Sequence, residues 1–311
     1  MKTKHTLLML ALGVCAGAAA NASSDPLPQA LRSQIDALFS PWSRPDSPGC
    51  ALGLIHDGQI VYRRDYGMAN LEYGVPLNSK STFYIASTSK QFTAASIVLL
   101  ARRGKLALED DVRKAIPELP AYPSPIRISD LIHHTSGLKD YLALMAYADW
   151  SLEDEFDGDD ALRFIVRQKT LDFPTGTQFR YSNSNYVLLA EIVRRVSGQS
   201  LRDFAEANIF EPLGMRNTHF DDDHREVVPQ RVVSYAPTGP AQFRQFIKSV
   251  DAVGDGNLLT TVDDLARWDG NFYAERVGGE GFARQMTEPG RLTDGRDIEY
   301  ATGLFHRRYR S

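Results

Sequence analysis

Ser87 and Lys90 stand three residues apart at the head of an apolar run, Phe83-Tyr-Ile-Ala-Ser-Thr-Ser-Lys-Gln-Phe-Thr-Ala-Ala-Ser-Ile-Val-Leu-Leu-Ala-Arg-Arg-Gly104. Residues three apart share a helical face, so this spacing brings the lysine amine to the serine hydroxyl within one turn. A lone serine is a weak nucleophile, but an amine near a helix N-terminus in a partly apolar site has its charged form disfavoured and can act as its base. The same helix end presents free N–H groups to a developing oxyanion. The structural reading of the same residues is an N-cap serine beside a solvated lysine. A second Ser-x-x-Lys, Ser136-Gly-Leu-Lys139, holds a glycine and reads as a helix end passing into a loop, with no chemistry.

Tyr181 and Asn183 form the one Tyr-x-Asn in the chain, between the Pro174-Thr-Gly176 turn and the apolar run Tyr186-Val-Leu-Leu-Ala190. A phenol and a carboxamide two apart on such a loop can face one cleft, the first relaying protons and the second binding an amide. An aromatic residue and an N-capping asparagine at a helix start is the other reading.

Helices and strands must position these groups. The 311 residues are 43% hydrophobic and 24% charged, with net charge -4, enough for one large or two modest domains with an ample core. Scattered signs and mild acidity argue against a nucleic-acid partner. Met1-Lys-Thr-Lys-His5, the apolar run to Ala20 and Ala20-Asn-Ala22 read as a secretory signal over residues 1–22, so a periplasmic or secreted protein with no stable membrane span after cleavage is expected. Leu12-Gly-Val-Cys15 hints at lipidation, with the bulky Val14 against it. Cys50 is then left without a disulfide partner and is expected to be buried.

Leu27 to Phe39 has helical spacing, and Ala51 to Arg64 reads as two strands around an Asp57-Gly58 turn. The serine-bearing helix follows, buried nearly all round and stopped by Gly104; Leu106 to Leu119 predicts a short helix. Patterns to about residue 250 are mostly helical: 129–134, 160–168, 186–197 and 201–209. Thr261 caps a helix over 262–268, and Glu299 to Tyr309 reads as a strand. The division expected is an α/β domain from 23–105 and 251–311, with a helix-rich domain over 106–250. No HxHxDH or HExxH pattern offers a zinc site, His133 and His134 read as structural, and no G-x-S-x-G elbow is present.

Taken together, Tyr84-Ile-Ala-Ser-Thr-Ser-Lys-Gln-Phe-Thr-Ala94, Asp130-Leu-Ile-His-His-Thr-Ser-Gly-Leu138, Pro174-Thr-Gly-Thr-Gln-Phe-Arg-Tyr-Ser-Asn183, Ile209-Phe-Glu-Pro-Leu-Gly-Met215 and Gly256-Asn-Leu-Leu-Thr-Thr-Val-Asp-Asp-Leu-Ala266 resemble the serine beta-lactamase and penicillin-binding-protein superfamily. The branch is that of class C beta-lactamases, DD-carboxypeptidases and related esterases, and the likeness runs over about residues 45 to 310. It implies a beta-lactamase/transpeptidase-like α/β fold, an antiparallel sheet flanked by helices plus an inserted helical lobe. It further implies that Ser87 is acylated, Lys90 shares its proton, Tyr181 is base and then acid, and Asn183 binds the substrate amide. The substrate would be a peptide, lactam or ester, and no cofactor or metal is expected.

The family's third motif, Lys-Thr-Gly or His-x-Gly on a strand beside the serine, has no counterpart after Ser87. His56-Asp57-Gly58 matches the letters but belongs to the hairpin turn. The chain is therefore expected to stop short of that strand, two more and a C-terminal helix. Losing one oxyanion donor costs about two to three powers of ten in rate, so weak activity is expected. A penicillin-binding module without turnover, or a carboxylesterase, are the other functional readings.

Overall fold

The Asp57-Gly58 pair makes a two-residue turn with both φ positive, at +50° and +70°. Such a turn matches the right-handed twist of its strands. It joins β1 (Cys50–His56) to β2 (Gln59–Tyr66) in antiparallel register, from Cys50 opposite Tyr66 to His56 opposite Gln59. The computed structural model describes residues 27–309; the signal segment expected at 1–22 and Cys15 lie outside the described residues. Helix α1 (Gln29–Phe39) meets this hairpin through Asp36, which accepts from the Tyr62 and Tyr66 hydroxyls at 2.8 and 2.7 Å, and through Phe39 stacked on Tyr66.

Strands β3 (Met68–Asn70) and β4 (Val75–Pro76) pair with each other and lead to β5 (Phe83–Tyr84). After β5 the chain tightens into a 3-10 turn, Ala86–Ser89, and then enters α2 (Lys90–Arg102). Every residue of α2 from Lys90 to Leu100 is buried. That explains an apolar pattern running almost all round instead of along one stripe. Each large apolar side chain buried here contributes about 1.5–3 kcal/mol. Phe92 packs against Phe210 and Trp268, at ring separations of 5.5 and 4.7 Å. The polar side chains of α2 are satisfied: Thr93 donates to the Gly254 carbonyl, and Gln91 accepts from the Trp268 indole. Gly104 ends the run at φ +66°.

Helices α3 (Ile128–Ile132), α4 (Tyr141–Tyr147), α5 (Gly158–Val166), α6 (Asn183–Ser197), α7 (Leu201–Ala205) and the short α8 (Glu211–Leu213) follow, with a π-type turn, Glu206–Phe210, between the last two. α6 packs along α2 and α3. Strand β6 (His219–Phe220) and β5 flank β9 (Leu258–Thr260), both antiparallel to it. Between them β7 (Tyr235–Gly239) and β8 (Gln242–Gln245) form a hairpin in a stretch read from the sequence as mostly helical. Helix α9 (Val262–Ala274), capped by Thr261, lies across β1 at Gly53, where a Cβ would sit 2.5 Å from Val262. α10 (Phe282–Thr287) completes the elements.

Three local expectations are corrected. The short helix expected over 106–119 is a loop with one 3-10 turn, Val112–Lys114. The Asp110 and Asp111 side chains accept from the N–H groups of Ala107 and Arg113, and Val112, Ile116 and Leu119 reach the core from irregular backbone. The strand expected over 299–309 is a tight turn, with Tyr300 bridged to Phe305 and Ala301 N–H bonded to the Leu304 carbonyl. Gly303, at φ +78°, lies on the first turn of α2, where a Cβ would fall 2.6 Å from Gln91 Cα. Gly303→Ala is expected to lower stability by more than ~1 kcal/mol, because both conformation and space oppose the methyl group; an unchanged denaturation midpoint would refute this packing. Finally, Cys50, the first residue of β1, is half-buried, not fully buried.

Candidate active site

The 3-10 turn places Ser87 on the surface of a cleft while Lys90, at the start of α2, is only 1% exposed. The first N–H groups of the turn, at Ala86 and Ser87, have no acceptor within it. Lys90 Nζ has three polar neighbours: Ser87 Oγ at 3.0 Å, Asn183 Oδ1 at 2.9 Å and the Asp255 carbonyl at 2.5 Å. Two of these can only accept. A neutral amine has two N–H groups and one lone pair, so those acceptors take both N–H groups and leave the lone pair for the serine proton. Burial favours that neutral form, bringing Lys90 from 10.5 down to about 8 against the opposing pull of Asp255 and Asp140.

Asn183 opens α6, and its orientation is set from both ends. Its Oδ1 accepts from Lys90, while its Nδ2 and backbone N–H donate to Asp140 Oδ2 at 2.9 and 2.6 Å. Asp140 also caps α4, its Oδ1 accepting from Leu142 and Ala143. It is a positioning residue that sequence reading missed, although an aspartate before Tyr141-Leu-Ala-Leu-Met is a recognisable cap signal. Asp140→Ala is expected to cut kcat/KM about a hundredfold through Asn183 and to lower stability by about 1 kcal/mol through the lost cap. Kinetics beside a denaturation curve separate the two effects, and an intact kcat/KM would refute the positioning role.

Tyr181 lies beside the Ser87 side chain, close enough for the hydroxyl to favour its ionised form, and Lys90 Nζ lies 4.8 Å above its ring. Burial pushes the phenol up to about 12, with the Ser87 hydroxyl opposing and Asp255 and Asp140 assisting. At neutral pH it is a protonated donor. The tyrosine rests on His134, whose ring centroid is 4.4 Å away and whose Nδ1 accepts from Ser182 N–H. Burial first, then the Lys90 charge, holds His134 well below the ordinary imidazole value, so it is a neutral support. His133 is brought down to about 4, again by burial.

The second Ser-x-x-Lys is structural, as read: Ser136 Oγ donates to Asn185 at 2.6 Å and Lys139 Nζ to the Thr170 carbonyl at 2.7 Å. His56-Asp57-Gly58 is the β1–β2 turn. Two groups have metal-ligand spacing, His219/Asp221/Glu226 and Asp223/His224/Asp251. In the first, Asp221 already meets Arg231 and Lys248, and Glu226 meets Arg202. In the second, Asp251 is taken up by His224 and Asp223 by Arg225. None of these residues belongs to the Ser87 cluster.

Beside Ser87 lies a cavity of about 200 Å³, walled by Leu142, Leu152, Phe246 and Val250, with Asn183 and Asp255 at its polar side. Among the described residues no helix is long and apolar enough to cross a membrane.

The chain matches the family model described as Beta-lactamase over residues 35–309. It is 30% identical over 281 residues to a D-aminopeptidase of Gluconobacter oxydans (strain 621H), covering 90% of this chain and 52% of that protein. It is 31% identical over 261 residues to a penicillin-binding protein of Bacillus subtilis (strain 168), covering 79% and 57%. The chain thus spans about half the length of the curated relatives it matches. Among solved structures, the octameric penicillin-binding protein homologue from Pyrococcus abyssi superposes with a TM-score of 0.74 at 25% identity, covering 88% of this chain and 64% of that one. The D-amino acid amidase from Ochrobactrum anthropi SV3 does so with 0.71 at 21% identity, covering 89% and 81%. A hydroxyl on a helix-leading turn, its buried amine and a tyrosine–asparagine pair thus meet in a beta-lactamase/transpeptidase-like fold, and the chain belongs to the beta-lactamase family of serine hydrolases.

Proposed function

We propose that this chain is an exported, periplasmic or secreted serine hydrolase that cleaves a peptide or amide through an acyl-Ser87 intermediate. The observation that carries this is the Lys90 amine at 3.0 Å from Ser87 Oγ, with two pure acceptors on its other sides. Lys90 takes the Ser87 proton as Oγ attacks the carbonyl carbon, and the N–H groups opening the Ala86–Ser89 turn receive the oxyanion. On collapse, Tyr181 gives its proton to the departing nitrogen and is reprotonated from Lys90; water then repeats the sequence on the ester. Asn183, held by Asp140 and Lys90, keeps one amide N–H for the substrate. All proton transfers are internal to the cluster, so the mechanism calls for no metal.

A peptide or amide substrate is supported by the relatives named D-aminopeptidase and D-amino acid amidase. The penicillin-binding relative supports a second reading, a module that is acylated and turns nothing over. Intact-mass spectrometry of the exported protein, exposed separately to a fluorophosphonate and to a penicillin, tests both. Adducts on Ser87 are expected. A penicillin adduct that decays with time marks a hydrolase, one that persists marks the module, and absence of any adduct in folded protein would sink both. The same spectrum tests export, which requires the mass of a chain lacking residues 1–22.

A further inference from the structure

Asp140 and Asp255 are the two carboxylates whose charges act on Lys90 and Tyr181, and they are served very differently. Asp140 accepts four N–H bonds, from Leu142, Ala143 and the backbone and side chain of Asn183. Asp255 is 8% exposed, and among the described residues its one side-chain donor is the Tyr141 hydroxyl, at 3.1 Å from Oδ2. A carboxylate has about four acceptor sites, so Asp255 brings spare acceptor capacity to the wall of the Ser87 cavity; burial holds its carboxyl above the ordinary value, with the Lys90 charge opposing, so its charged form gains from any cation that arrives. A buried charge with so few partners is costly unless something answers it.

The one cation on that wall, Lys248, is already committed. Its Nζ meets Asp221 Oδ2 at 3.0 Å and the Val250 carbonyl at 3.0 Å, and it lies over the Tyr84 ring. Lys90 bonds the Asp255 backbone carbonyl, and its work as a base requires it to be uncharged when substrate arrives. The acceptor capacity left unanswered in the cavity is therefore that of the Asp255 carboxyl, and it sits between apolar walls made by Leu142, Leu152, Phe246 and Val250.

We propose that Asp255 anchors the free α-ammonium group of the substrate's acyl part, so that the cavity takes aminoacyl amides and peptides with an unblocked amino end and an apolar side chain. This rests on the acyl-Ser87 reading, since it is the acyl part that must lie in the cavity beside the nucleophile. The scissile carbonyl is one carbon from the ammonium, so anchoring one end at Asp255 delivers the carbonyl to Ser87. Neutralising Asp255 also removes a charge that favours the protonated form of Lys90, so the fitting substrate helps free its own base. An acylated amine offers no charge and adds bulk in a small cavity, and is disfavoured on both counts.

Titration calorimetry on full-length Ser87→Ala protein measures the anchor without turnover, using D-phenylalaninamide, its N-acetyl derivative and phenyllactamide, in which a hydroxyl replaces the ammonium. The free amine is expected to bind at least about tenfold more tightly than either, as for a partly desolvated ion pair, and the double variant Ser87→Ala/Asp255→Asn is expected to lose that preference. Equal or tighter binding of the N-acetyl compound or of phenyllactamide would overturn the anchor, a result that stands even if the double variant fails to fold. Preference retained without Asp255 would overturn it as well. Failure of the acyl-enzyme reading would show separately, as absence of a Ser87 adduct in the parent protein.

Discussion

Ser87→Ala is expected to abolish covalent capture of both a fluorophosphonate and a penicillin, with the unfolding free energy held within the ~0.5 kcal/mol ordinary for an exposed position. Ser87 is exposed in a turn, and its packing contribution is small. Its hydroxyl is nonetheless the atom that Lys90 addresses, with the Tyr181 phenol beside it. In triad enzymes, removal of the nucleophile costs about six powers of ten in turnover, and an adduct cannot form at all without the atom it forms on. The alternative nucleophile by sequence pattern, Ser136, is 1% exposed and bonded to Asn185, which removes it from contention. Mass spectrometry on parent and variant decides the matter, and an adduct of equal yield on the variant would refute the assignment.

The second large effect belongs to Lys90. Acylation by a fluorophosphonate needs the neutral amine, whose fraction grows as pH rises toward the folded value of about 8. The second-order labelling rate is therefore expected to climb about tenfold per pH unit below about 8 and to level off above it. Lys90→Arg keeps a cation that never gives up its proton at these pH values, and it is expected to lose roughly two to four powers of ten in labelling rate along with the rise. A flat profile in the parent would refute Lys90 as the base.

The same burial has a stability consequence of opposite sense. Lowering Lys90 from an ordinary 10.5 to about 8 corresponds to about 3 kcal/mol of disfavoured charge. Below pH 8 both folded and unfolded chains hold the proton, and the penalty is present in full. Between 8 and 10.5 the unfolded chain binds more protons than the folded one, so this residue's contribution to stability rises with pH. The stability difference between the parent and Lys90→Met should shift accordingly between pH 7 and 10 in denaturant titrations.

How legible the chain was depended on the range of each signal. The Asp57-Gly58 hairpin, the buried α2 with its glycine stop, the Thr261 cap and the Ser87–Lys90 spacing are all set by residues within one or two turns of each other, and they stand where the sequence placed them. The loop over 106–119 and the turn at 301–304 misled because period and β-propensity describe which side chains face a core, not which backbone carries them there. Gly303 is a turn residue only because α2 lies beneath it, and nothing within ten residues of it encodes that neighbour.

The sequence by itself determined the chemistry available: a serine and a lysine on one helical face, a Tyr-x-Asn at a helix start, and a core large enough to hold them rigid. Tertiary structure alone decided which groups serve that pair. Asn183 and Asp255 reach Lys90 across 93 and 165 residues of chain, and Asp140 reaches Asn183 across 43. Contacts at such separations leave no local pattern. They follow from packing α6 and the Asp255 loop against α2, and that packing strips water from Lys90, turns Asn183 to face it and leaves Asp255 with acceptor capacity to spare in the cavity wall beside Ser87.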